Sequence, residues 1–120
     1  MPIVLSSLLL SLAAAGDPEP RTVQCVVTTK GKDPFKGPCL IYPGEKGSFT
    51  VEAAGRKSFP QASSISLYVV GPDAGEVRGV TKKGANFRWG SVVRSRRDRA
   101  CWTGTDFSIC VYPRPSIASG

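Results

Sequence analysis

Four cysteines behind an apolar leader constrain this chain more than any other feature. Residues Ile3 to Ala15 are apolar or small and carry no charge. That run is too short for a membrane span of ~20 residues. It matches the apolar region of a secretory signal, and Ala13-Ala14-Ala15 supplies a small-x-small cleavage pattern. The reading is a signal peptide over 1–15, cut before Gly16 or Asp17. A polar leader follows over 16–21, in which Asp17-Pro18-Glu19-Pro20 is too stiff to join a sheet. An N-terminal core helix is the competing reading of the same run. No cysteine follows the run directly, which argues against a lipid anchor there, and no transmembrane anchor is expected.

An even number of cysteines in a short exported chain implies disulfides. Cys101 and Cys110 flank an eight-residue stretch turning at Thr105-Asp106, so a hairpin places them opposite each other. Cys25 and Cys39 stand in a similar relation around Gly31-Lys32-Asp33. The predicted bridges are therefore Cys25–Cys39 and Cys101–Cys110. A bridge between the N- and C-terminal strands is the alternative. Zinc is disfavoured because the spacing lacks a CxxC knuckle and the chain has no histidine.

The apolar pattern between the cysteines has the period of strands. Thr22–Thr29 is rich in β-branched residues, and Ser48–Ala53 alternates with Phe49 and Val51 on one face. Ile65, Leu67 and Val69 share a face in Ile65–Val70. Further strands are read at 39–42, 76–80, 87–93, 100–102 and 107–112. Turns are read at 31–38 and 71–75, and a loop at 54–64. Gly (13) and Pro (10) make up about a fifth of the chain, which favours frequent turns over long helices. The expected fold is all-β: a small antiparallel β-sandwich or barrel of about seven short strands over 22–112, with a flexible tail over 113–120.

The formal charge of +7 is concentrated. Arg78, Lys82, Lys83, Arg88, Arg94, Arg96, Arg97 and Arg99 are opposed only by Asp98, while the rest of the chain balances. Such a segment is the electrostatic footprint of an anionic partner, either a polymer or an acidic protein surface. Arg predominates, and a guanidinium forks onto phosphate or carboxylate with two hydrogen bonds. Arg88, Arg94, Arg96, Arg97 and Arg99 are the candidate anion-binding residues, with Trp89 a candidate for stacking. A solvated strand–loop that merely keeps the protein soluble would look similar. Trp102, beside Cys101, is expected to pack on the disulfide in the core.

The missing histidine removes the Ser-His-Asp triad and the Cys-His pair. Asp33, Glu45, Glu52, Asp73, Glu76, Asp98 and Asp106 fall in no catalytic motif, so neither an enzyme nor a cofactor is expected. The strings Gly37-Pro-Cys39, Gly47-Ser-Phe49, Ala100-Cys-Trp102 and Ile109-Cys-Val111 resemble a loose group of small exported bacterial proteins of unknown function. Glu76-Val-Arg-Gly-Val80 through Arg88-Trp-Gly90 is similar to that group as well. The resemblance implies a periplasmic or extracellular location and carries no site residues. Two functions fit: a secreted protein gripping an anionic partner through its basic strand–loop, and an inhibitor or immunity protein of a secreted hydrolase.

Overall fold

Alternation of apolar and polar residues produces eight strands in the computed structural model, which describes residues 20–55 and 57–113. They are β1 (Arg21–Thr29), β2 (Phe35–Pro43), β3 (Phe49–Ala53), β4 (Ser64–Gly71), β5 (Ala74–Val80), β6 (Asn86–Arg94), β7 (Cys101–Thr103) and β8 (Phe107–Tyr112). Each pairs antiparallel with the next, and β8 returns to β1, from Gln24↔Tyr112 to Thr29↔Phe107, closing a barrel. Of the two expected architectures the chain adopts the barrel, and each of its eight strands overlaps a segment read as a strand in the sequence. The predicted signal peptide and most of the leader and tail lie outside the described residues.

Closure gives every strand a partner on both sides, although β7 meets β6 only at Val93↔Thr103 and Arg94↔Trp102, and an eight-stranded barrel is just wide enough for side chains to fill. Val23, Cys25 and Val27 of β1 point inward, meeting Val51, Ile65, Leu67, Val77 and Ile109 from other strands. The outer face carries Thr28, Lys36, Glu52, Ser66, Glu76, Arg78 and Arg88. An apolar inside and polar outside reverse the polarity of a transmembrane barrel. Among the described residues no helix is long and apolar enough to cross a membrane.

Both disulfides form as predicted, on opposite faces of the wall. Cys101 and Cys110 are directly opposed, with Cα atoms 3.9 Å apart, and bridge across the outer face. Cys25 and Cys39 point inward and are diagonal, because Cys25 faces Gly37 and Cys39 faces Val23. Trp102 is buried as expected, but strand alternation turns it inward, away from the outer Cys101–Cys110 bridge.

Three departures from the sequence reading position the candidate sites. First, β2 begins at Phe35, four residues earlier than expected, and accommodates Pro38. The Pro38 carbonyl accepts the N–H of Ala54 just past the end of β3, so its missing N–H faces the side where that strand has stopped. Second, the 57–63 stretch before β4 folds inward. Phe59 and Ala62 form a bridge and are buried, with Phe59 edge-on to Phe35 at 4.9 Å, so this stretch plugs one barrel end. Third, β6 has a bulge. Val77 pairs with Gly90 and Arg78 with Arg88, which leaves Trp89 as the extra residue. Gly90 has φ 150°, a conformation open to glycine. The bulge shifts the phase of the strand: Phe87 and Trp89 face inward before it, Val92 and Arg94 after it.

Candidate anion-binding surface

The basic segment is the β5–β6 hairpin together with the loop that follows it. Lys82 and Lys83 sit at the hairpin tip, where Thr81 closes the turn by accepting the N–H groups of Gly84 and Ala85. Arg78 and Arg88 are opposed on the outer face halfway along. Arg96, Arg97 and Arg99 lie in the Ser95–Ala100 loop at the far end. What reads in sequence as one cluster is a row of cations spanning the height of the barrel.

Acidic partners divide that row. Arg88 forks onto Glu76, with Nε to Oε1 at 3.0 Å and Nη2 to Oε2 at 3.1 Å. Ser91 donates to the same carboxylate at 2.6 Å. The Ser91 hydroxyl is the main cause holding the Glu76 carboxyl below its ordinary range, with the nearby Arg88 and Arg78 adding to it. Arg99 pairs with Asp73 at 2.9 Å. Arg94 is turned inward by the bulge. Its Nε donates to the Arg99 carbonyl at 2.8 Å, and its guanidinium carbon lies 5.0 Å from the centroid of the Trp102 ring. Arg78, Lys82, Lys83, Arg96 and Arg97 are exposed and make no ion pair among the described residues.

The loop bearing Arg96 and Arg97 is held by its own polar groups. Ser95 Oγ accepts the N–H groups of Arg97 (3.1 Å) and Asp98 (3.2 Å), and the Ser95 N–H donates to the Cys101 carbonyl. Asp98 accepts from the Ala100 N–H and from the Tyr112 hydroxyl. Asp98, the single acid of the segment, is thus a brace of the loop and pairs with no arginine among the described residues.

The structure does not bring all the expected residues together. Trp89 faces inward, stacked on Phe107 at 4.9 Å and tilted against Phe87 at 5.6 Å. It lines a cavity of about 370 Å³ with Thr29, Lys30 and Phe107, towards the barrel end opposite the Arg94 end. Of the five candidate arginines, Arg96 and Arg97 alone are both exposed and, among the described residues, without an ion pair or side-chain hydrogen bond. Arg78, Lys82 and Lys83 join them; all three are counted in the segment's net charge, although none is among the candidate anion-binding residues. Among the described residues no group of three or more Cys, Asp and Glu is placed to hold a metal ion.

No protein-family model matches the chain. No curated protein matches it. No solved structure matches it.

Proposed function

We propose that this chain is an exported binding protein that holds an anionic polymer along the β5–β6 hairpin and the Ser95–Ala100 loop. The reading is carried by the division of the cations. Glu76 and Asp73 neutralise Arg88 and Arg99, and a set without ion pairs among the described residues (Arg78, Lys82, Lys83, Arg96, Arg97) remains in a row along the barrel. A row suits an extended polyanion, whose bound counterions are released as each cation docks. Two disulfides with no free cysteine suit an oxidising compartment.

Retention on a phosphorylated-cellulose column across a salt series tests this. The R96S/R97S and R78S/K82S/K83S variants elute at much lower salt than the wild type. The charge-neutral E76S/R88S variant elutes with the wild type. Equal retention of the wild type and R96S/R97S would overturn the reading.

One observation favours a second reading. The internal hydrogen bonds of the Ser95–Ala100 loop give it the rigidity of an inhibitor loop, which loses little entropy on docking into an acidic cleft of a secreted hydrolase. A discrete stoichiometric complex with such an enzyme decides for it; many weak overlapping sites on a polymer decide for the first.

A further inference from the structure

The two barrel ends are finished differently. One is closed by Phe59. At the other, the inward-facing residues of the last layer (Ile41, Phe49, Val69 and Val111) remain part-exposed, whereas their neighbours one layer deeper (Val51, Leu67, Ile109) are fully buried. These four, with Trp102, line an open cup of about 420 Å³, within the size range of small-ligand sites. Its rim carries Lys46, Arg94 and Asp73.

Arg94 is the distinctive group at this rim. Two contacts fix its guanidinium: Nε on the Arg99 carbonyl and the Trp102 ring alongside. Among the described residues its two Nη groups have no hydrogen-bond partner. A pre-oriented guanidinium with two unused NH2 groups, next to an apolar hollow, matches a carboxylate in fork geometry. Lys46 stands on the rim in the Glu45–Gly47 turn, in a left-handed conformation (φ 49°). Asp73, the acid of the rim, is engaged by Arg99. The rim is therefore net positive above an apolar floor.

We infer that this cup binds a small amphiphile, an apolar chain or ring ending in a carboxylate, with the body against Phe49, Val69 and Trp102 and the carboxylate on Arg94. The polyanion reading is separate, since it uses Arg96 and Arg97 on the loop outside the cup.

The probe is decanoate, titrated into the mature chain and followed by Trp fluorescence and by amide chemical shifts. Decanoate binds with one-to-one stoichiometry, moves the amides around Val69, Arg94 and Trp102, and binds at least tenfold more tightly than decanol or decyltrimethylammonium. R94M, which keeps the stem over Trp102 but loses the fork, weakens binding at least tenfold. V69F fills the hollow and abolishes binding with Arg94 intact. R96S/R97S leaves decanoate affinity unchanged, which keeps this site apart from the polymer surface. If R94M does not fold, R94K serves, since it keeps the charge without the fork and weakens decanoate several-fold. No saturable decanoate binding by the folded wild type, or equal affinity for decanoate and decanol, would overturn the inference.

Discussion

The hydroxyl of Tyr112 donates to Oδ2 of Asp98 at 2.7 Å, while Oδ1 of that carboxylate accepts the Ala100 N–H at 3.0 Å. One acid thereby ties the basic loop to the last strand of the barrel. The Tyr112 hydrogen bond, and after it the Ala100 N–H, hold the Asp98 carboxyl below its ordinary range, and Asp98 in turn raises the Tyr112 phenol. A carboxyl with a lowered folded-state pKa contributes stability above its unfolded value and loses it as pH falls through the folded value. A raised phenol contributes below the ordinary tyrosine pKa and loses its contribution as pH rises through the raised one. The loop is therefore braced across the neutral range and loosens at both extremes. In Y112F the Asp98 carboxyl titrates at higher pH, and the amides of Arg97 and Ala100 exchange faster. Carboxyl-carbon NMR titration and hydrogen exchange measure both effects, and an unchanged Asp98 titration would refute the brace.

Gly79 faces Phe87 across the β5–β6 ladder, and a Cβ at Gly79 would lie 2.6 Å from the Phe87 ring. The ring covers the glycine, so G79A must displace it. Overpacking of this kind costs about 1–3 kcal/mol. Urea unfolding reads that loss, and combining G79A with F87L recovers part of it.

Phe59 fills the closed end of the barrel against Phe35. F59A is expected to cost about 3–5 kcal/mol, as for other buried phenylalanines. The same change should leave decanoate binding at the opposite end intact, a direct check that the two ends are independent.

The disulfides differ in access. Cys25 and Cys39 are fully buried inside the barrel, whereas Cys101 is part-exposed on the outer face. Thiol–disulfide exchange needs an approach path to a sulfur. Under native conditions a mild reductant followed by alkylation should label Cys101 and Cys110 first, with Cys25 and Cys39 labelled only on unfolding. Peptide mapping of the alkylated protein decides it; simultaneous labelling would contradict this placement.

Strand alternation carried most of the fold. Val23, Cys25 and Val27, Phe49 and Val51, and Ile65 and Leu67 all point inward as their spacing requires. The Cys101–Cys110 pairing followed from a local hairpin, so it too was legible. What escaped was non-local or non-periodic. Pro38 reads as a turn residue, and it sits in a strand because its absent N–H faces the side where β3 ends and Ala54 needs only the Pro38 carbonyl. Phe59 lies among Gly55 and Pro60 without a periodic neighbour, and only barrel closure gives it an end to plug. The site suffered most from the bulge at Trp89. Simple alternation through 87–93 puts Arg94 on the outer face with its neighbours, but one extra residue turns it into the barrel mouth. The pairing of Arg88 with Glu76 and of Arg99 with Asp73 depends on strand register and on contact between distant turns, neither of which charge counting can see.

The proposed polyanion contact rests on the cations without an ion pair among the described residues, Arg96 and Arg97 above all. The most direct measurement is the affinity for a short double-stranded DNA probe at several salt concentrations, for the wild type and for R96S/R97S. Each phosphate-contacting cation contributes about one to the slope of log K against log salt. The expected result is a steep wild-type slope that falls by about two in the double variant, with the fold unchanged by thermal melting. Identical slopes for the two proteins would contradict it, because the arginines of the loop would then be solvated surface.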